Sequence, residues 1–308
     1  MQGARIGAFP PPEKLFDPAE RDRIVAAAVD SGVDHLGVGD HVSFFVGMGS
    51  DGLVLATALL AAQAELPVYV ALYLLPLRHP VPVAREIATI SQLYPGRLIL
   101  GVGIGGEDRH EVEICGVDPR TRGRRMDDCM TIVRGLLTGE PVNHHGDFFE
   151  IDEALIVPAA DPPVPLVVGG RSDPAIRRAA LHGDGWLGIW ASPRRFGEVV
   201  TQISEIAAEA GRDGVEWRHG LNVWCGLGGS REEARDHVAP AMQAFYQIPF
   251  ENFERWTPYG TPQDVAEFLA PYVEAGCGEI NLIPRGADPE TVMQLSGEVA
   301  RLLRGSRG

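Results

Sequence analysis

The stretch VYVALYLLPLRHPVPVAREIATISQLYPGRLILGV, running from Val68 to Val102, decides the fold. It opens on Val68–Leu74 and closes on Leu98–Val102, two apolar runs of strand length. Between them Val83, Ile87, Ile90 and Tyr94 keep the spacing of one buried helical stripe. Continuous rather than alternating hydrophobicity is the mark of strands covered on both faces, as in parallel sheets. Working outward, six more such runs appear: Ile6–Phe9, His35–Val38, Leu166–Val168, Trp186–Ile189, Leu221–Trp224 and Ile280–Ile283. Helices are predicted over 17–31, 52–64, 81–94, 121–138, 173–182, 192–210, 230–245, 261–275 and 289–304. Eight strands alternating with helices predict an α/β fold of the (β/α)8 TIM-barrel type with insertion loops; an open doubly wound sheet is the other arrangement with this pattern.

The helix ends are written in the sequence. Asp17-Pro18, Asp173-Pro174, Ser192-Pro193, Thr261-Pro262 and Asp288-Pro289 each place a capping oxygen before a proline at the first helical position. Gly32, Gly183, Gly211, Gly276 and Gly305 close helices. No repeat or shift in composition divides the chain, so residues 1–308 read as one domain. The connections at about 139–165 and 246–260 are long, as functional loops often are.

Composition removes several classes of function. The 308 residues carry 27 basic and 42 acidic side chains, a formal charge of −15. That balance disfavours nucleic acid and anionic membranes as partners. No apolar run is long enough for a transmembrane helix. The N-terminus lacks a signal-peptide pattern, so a cytoplasmic protein is expected. Lys14 is the sole lysine, which leaves Schiff-base chemistry one residue to use. Cys115, Cys129, Cys225 and Cys277 form no metal-binding or disulfide pattern, and no metal site is expected.

Three segments have the character of a barrel mouth. Asp40-His41 follows the second strand, where a histidine suits proton transfer. Gly101, Gly103 and Gly106 spell G-x-G-x-x-G after the fourth strand. Asp127 and Asp128 fall in a helical pattern, so a Rossmann site is rejected in favour of a backbone that a flat ligand approaches closely. Glu107 adds a carboxylate there. Gly169-Gly170-Arg171-Ser172-Asp173 joins the fifth strand to a helix and has the makings of an anion site, with Asp173 as a competing N-cap. His144-His145 reads as a surface hairpin, His79 as a cap or mouth residue and Trp186 as core. Phe245, Tyr246, Phe250, Phe253, Trp256 and Tyr259 read equally as a lid or a subunit interface.

Taken together, these segments resemble the luciferase-like monooxygenase superfamily. The resemblance rests on Pro80–Ile90, Tyr94–Gly105, Pro165–Gly170 with Gly183-Asp184-Gly185-Trp186, and Gly260-Thr261-Pro262. Asp40-His41 and Tyr94-Pro95-Gly96-Arg97 are most similar to the branch that uses coenzyme F-420, a deazaflavin. That likeness implies an oxidoreductase moving hydride between F-420 and a small organic substrate, and a homodimer. The other readings are an FMN-dependent monooxygenase using reduced flavin and oxygen, and a non-catalytic flavin-binding homologue. By resemblance His41 is the acid/base and Glu107 a mouth carboxylate. Asp40, Leu72, Tyr73, Gly103, Gly169, Gly170, Arg171 and Ser172 are the expected cofactor contacts, the last four near its phosphate. A non-proline cis peptide is expected near Leu72-Tyr73. Phe44-Phe45 stands where glucose-6-phosphate dehydrogenase-like members carry an indole, which speaks against a sugar phosphate.

Overall fold

The computed structural model describes residues 3–45, 47–106 and 108–305. Eight barrel strands follow one another: β1 Arg5–Ala8, β2 His35–Val38, β3 Val68–Tyr73, β4 Leu98–Val102, β5 Leu166–Gly169, β6 Gly185–Gly188, β7 Gly220–Leu227 and β8 Glu279–Arg285. Each pairs in parallel with the next, and β8 returns to β1, which closes the barrel. The nine long helices among the described residues are α1 Pro18–Ser31, α2 Gly52–Ala62, α3 Pro80–Leu93, α4 Arg122–Leu137, α5 Asp173–His182, α6 Pro193–Glu209, α7 Arg231–Tyr246, α8 Pro262–Glu274 and α9 Pro289–Gly305. All eight predicted strands and all nine predicted helices are present, and the barrel is the observed fold.

The caps work largely as the sequence predicts. Asp17 accepts from the Glu20 amide at 2.8 Å, and Thr261 with Asp264 forms a complete capping box. Gly32 ends α1 at φ 79°, a conformation in which a side chain would be strained. At α5 the N-cap position belongs to Ser172, one residue earlier than expected, and Asp173 is the first helical residue.

Two layers of apolar packing hold the barrel. The outer layer lies between strands and helices and contains Ile6, Leu36, Val68, Leu100, Val168 and Leu282 with helical partners such as Ile87 and Met130. A smaller inner cluster fills the barrel itself with Phe9, Tyr69, Ala71, Ile99, Val167 and Leu187. Among the described residues no helix is long and apolar enough to cross a membrane.

Several local features refine or add to the sequence reading. The expected non-proline cis peptide is present, at Ala71–Leu72. The β3–β4 register breaks there: Val70 pairs with Leu100 and Tyr73 with Val102, so two residues of β3 face one of β4. The segment after β2 is a β-hairpin, His41–Phe44 with Met48–Ser50, and the loop after β4 contains the short helix Arg109–Ile114. Within 139–165 a second hairpin pairs Val142–His145 with Glu150–Ala154, as His144-His145 suggested. These strands are short and mostly unburied, so they lack the continuous apolar signature of the barrel strands.

Candidate active site

A cavity of about 610 Å³ opens at the C-terminal ends of the barrel strands. In barrel enzymes this is the face whose loops carry the chemistry. Its floor includes Ala71, Leu72, Leu187 and Ile283, and Phe44, Trp190, Trp224, Phe245 and Tyr246 supply aromatic wall. Phe245 and Tyr246 therefore serve the lid side of the two readings of that cluster. Phe253 packs behind them against Trp190, with ring centroids 5.1 Å apart.

His41 stands on this wall, one quarter exposed. Its Nδ1 lies 3.0 and 3.2 Å from the two oxygens of Glu111. Glu111 is almost fully buried and also accepts from the Val42 and Ser43 amides at 2.7 and 3.0 Å. Burial pushes its carboxyl up, but His41 and the two amides outweigh that, and the balance lies below the ordinary carboxylate range. An ionised Glu111 takes the Nδ1 proton in hydrogen bond and leaves Nε2 as the ring atom able to exchange one. Phe44 covers the imidazole at 4.1 Å between ring centres, and Phe245 meets it edge-on.

Glu111 comes from the short helix that the sequence reading missed. Asp108 caps this helix through the His110 and Glu111 amides and also accepts from Phe45 at 2.7 Å. Two acidic side chains thus pin the His41 hairpin onto the loop after β4. The pattern Asp108-x-x-Glu111 is a cap signature that could have located the helix. Glu107, the carboxylate expected from sequence, lies outside the described residues.

Asp40 has a different role from a simple ligand contact. Its carboxylate accepts two bonds from Arg78, at 2.7 and 2.8 Å, and one each from the Gly52 and Leu74 amides. Burial pushes its pKa up, and Arg78 and the two amides oppose this. All four contacts are donors, so the carboxylate is occupied in holding the loops after β2 and β3 together, although its edge still lines the cavity. Arg78 also bonds Asp51 at 2.9 Å and lies 4.2 Å over the Tyr73 ring.

Tyr73 requires correction as a cofactor contact. The bulge at 71–72 turns it into the outer core, where it is 1% exposed beneath Arg78 and away from the cavity. Leu72 does line the cavity, and its side chain explains the neighbouring glycines. A Cβ on Gly169 would lie 2.1 Å from Leu72 Cδ1, and one on Gly103 would lie 2.8 Å from it. Both residues border the cavity. Their missing side chains clear space for Leu72 rather than directly for a ligand.

The anion-ready turn is partly as expected. Gly170 adopts φ 128°, and its carbonyl accepts from Trp186 Nε1 at 2.7 Å. Gly169, Gly170 and Arg171 line the cavity; Ser172 does not. Ser172 is exposed, and its hydroxyl caps no backbone amide. Arg171 is also exposed and lies 5.3 Å over the Trp190 ring. Across the cavity Arg285 lies 4.6 Å over Trp224, and burial lowers its pKa. His79 caps α3 through Val81, and Trp186 is core.

The model of the luciferase-like monooxygenase family matches residues 3–259. The chain belongs to that family. An uncharacterized protein of Mycobacterium tuberculosis is 36% identical over 159 residues, which are 52% of this chain and 54% of the relative. The match thus spans about half the length of that relative. An F-420-dependent glucose-6-phosphate dehydrogenase of Nakamurella multipartita is 25% identical over 324 residues, covering 92% of this chain and 91% of the relative. Among solved structures, an F-420-dependent secondary alcohol dehydrogenase in complex with an F-420–acetone adduct superposes with a TM-score of 0.85. It is 21% identical, covers 98% of this chain and 100% of that one, and shows that the family fold extends over the whole barrel.

Proposed function

We propose that the protein is a coenzyme F-420-dependent oxidoreductase acting on a small organic substrate, with His41 as its acid/base. The observation that carries this is the His41–Glu111 pair at the wall of the cavity. The F-420-dependent relatives support the choice of cofactor.

The residues present suit the group. The apolar floor formed by Ala71, Leu72 and Ile283 fits a flat ring. The cavity runs on to Gly170 and Arg171 at the N-terminus of α5, where the positive end of the helix and a guanidinium fit a phosphate. F-420 supplies a ring carbon that takes or gives hydride where a flavin has N5. Leu72, Gly170 and Arg171 would hold it, with Gly103 and Gly169 making room for the Leu72 side chain and Asp40 acting through the loops it ties together.

The protein's own part is binding, water exclusion and proton transfer. His41 Nε2 accepts the hydroxyl proton as a substrate is oxidised, or returns it as a carbonyl is reduced. Glu111 holds Nδ1–H and stabilises the imidazolium formed in the first case. Phe44 and Phe245 keep water from the ring. Mixing the protein anaerobically with F-420 and a panel of alcohols tests the reading. Bleaching at about 420 nm that requires His41 is expected. Oxygen consumption with reduced FMN and no bleaching would contradict it.

A further inference from the structure

TIM-barrel interiors are usually filled by branched apolar side chains, yet one level of this barrel is polar. The register aligns Asn222 of β7 with Asn281 of β8, Asn281 with Gly7 of β1, and Gly7 with His35 of β2. Gly7 is the gap in this row. A Cβ there would lie 2.1 Å from His35 Cδ2 and Nε2, so glycine lets the imidazole pass over β1 and reach β8. His35 Nε2 lies 2.6 Å from Asn281 Oδ1, and Asn281 Nδ2 lies 2.8 Å from Asn222 Oδ1. His35, Asn281 and Asn222 are 1%, 0% and 9% exposed, and Asn222 lines the cavity.

We propose that Asn222 is a ligand-orienting residue whose Nδ2 amide is aimed at a carbonyl or hydroxyl oxygen of the bound cofactor or substrate, with its direction fixed by His35 and Asn281. The inference rests on the cavity being the active site, as proposed above. The polarity of the row follows from its donors and acceptors. Burial lowers the pKa of His35 and favours the neutral ring. With Nε2–H donating to Asn281 Oδ1, Asn281 has only its amide group to offer Asn222. Asn222 must meet it with Oδ1, because the reverse orientation would set two NH2 groups face to face. Its own Nδ2 donors are then left for the cavity. A buried amide without an acceptor is costly, so a ligand oxygen placed there gains a pre-oriented bond.

The test combines 15N-histidine NMR on the 308-residue chain with binding and kinetics of Asn222→Ala and Asn222→Asp. In the wild type His35 should be the neutral Nε2–H tautomer near pH 7. An Nδ1–H tautomer would overturn the proposal, whether or not F-420 binds. With a cofactor oxygen as the acceptor, both variants bind the cofactor (F-420, or FMN if that is what the wild type takes) at least about tenfold more weakly. With a substrate oxygen, cofactor affinity is kept and KM rises by a similar factor. Gly7→Ala, which pushes His35 off Asn281, should reproduce part of either loss, and a fall in melting temperature alone would not. Variants that fold, bind and turn over within twofold of the wild type would refute it. If the wild type binds neither F-420 nor FMN, the proposed function fails, while the tautomer still decides the orientation of Asn222.

Discussion

His41 holds its proton-accepting nitrogen ready because Glu111 occupies the other one. If it is the group that moves the proton, His41→Ala lowers turnover by roughly 10²–10⁴-fold. Cofactor affinity changes much less, since the floor and the α5 turn are untouched. Single-turnover hydride transfer and cofactor binding, measured on one preparation, separate these effects. Unchanged transfer in a folded variant would remove His41 from the mechanism. Glu111 carries a second prediction. Its pKa in the folded state lies below the ordinary 4.5, so its stabilising contribution is complete above about that pH and is lost as pH falls through the lower folded value. Glu111→Gln should cost about 1–3 kcal/mol near neutrality, the worth of charged hydrogen bonds left imperfect. The gap between variant and wild type should close in acid. Urea unfolding across pH 3–7 measures it, and a gap independent of pH would show that the carboxylate charge is not what pins the hairpin.

At the scale of elements, the bulge in β3 and the glycines across from it act as one unit. Leu72 fills the space where Cβ atoms of residues 103 and 169 would stand. Gly169→Ala should push Leu72 upward into the cavity and cost about 1–3 kcal/mol through overpacking. It should also weaken cofactor binding. Leu72→Ala in the same chain relieves the clash, so the double variant should bind better than Gly169→Ala alone. If both bind equally, Leu72 is not the obstacle. The elements themselves were legible to different degrees. Barrel strands and long helices show in the sequence because burial on two faces, proline and capping residues leave local signals. The His41 hairpin does not, since tertiary hydrogen bonds to Asp108 and Glu111 define it, and the helix around Glu111 leaves only its Asp108-x-x-Glu111 cap. Asn222 and Asn281 did leave a signal, each a polar residue inside an apolar run, which a reading by hydrophobicity alone passes over. Tyr73 was misplaced because the bulge shifts the direction of every side chain after it.

Across the whole molecule, the closed barrel brings residues 40, 72, 103, 169 and 285 to one mouth, although they lie on five different strands or loops. Closure also creates the inner polar row, which needs β8 beside both β1 and β7. The cofactor is a property at this scale, because the floor, the aromatic wall and the α5 turn come from opposite sides of the barrel. The direct measurement is a fluorescence titration of the 308-residue chain with oxidised F-420 and, in parallel, with FMN. Micromolar or tighter binding of F-420 with weaker binding of FMN is the expected result. Tight binding of FMN with no response to F-420 would contradict the account.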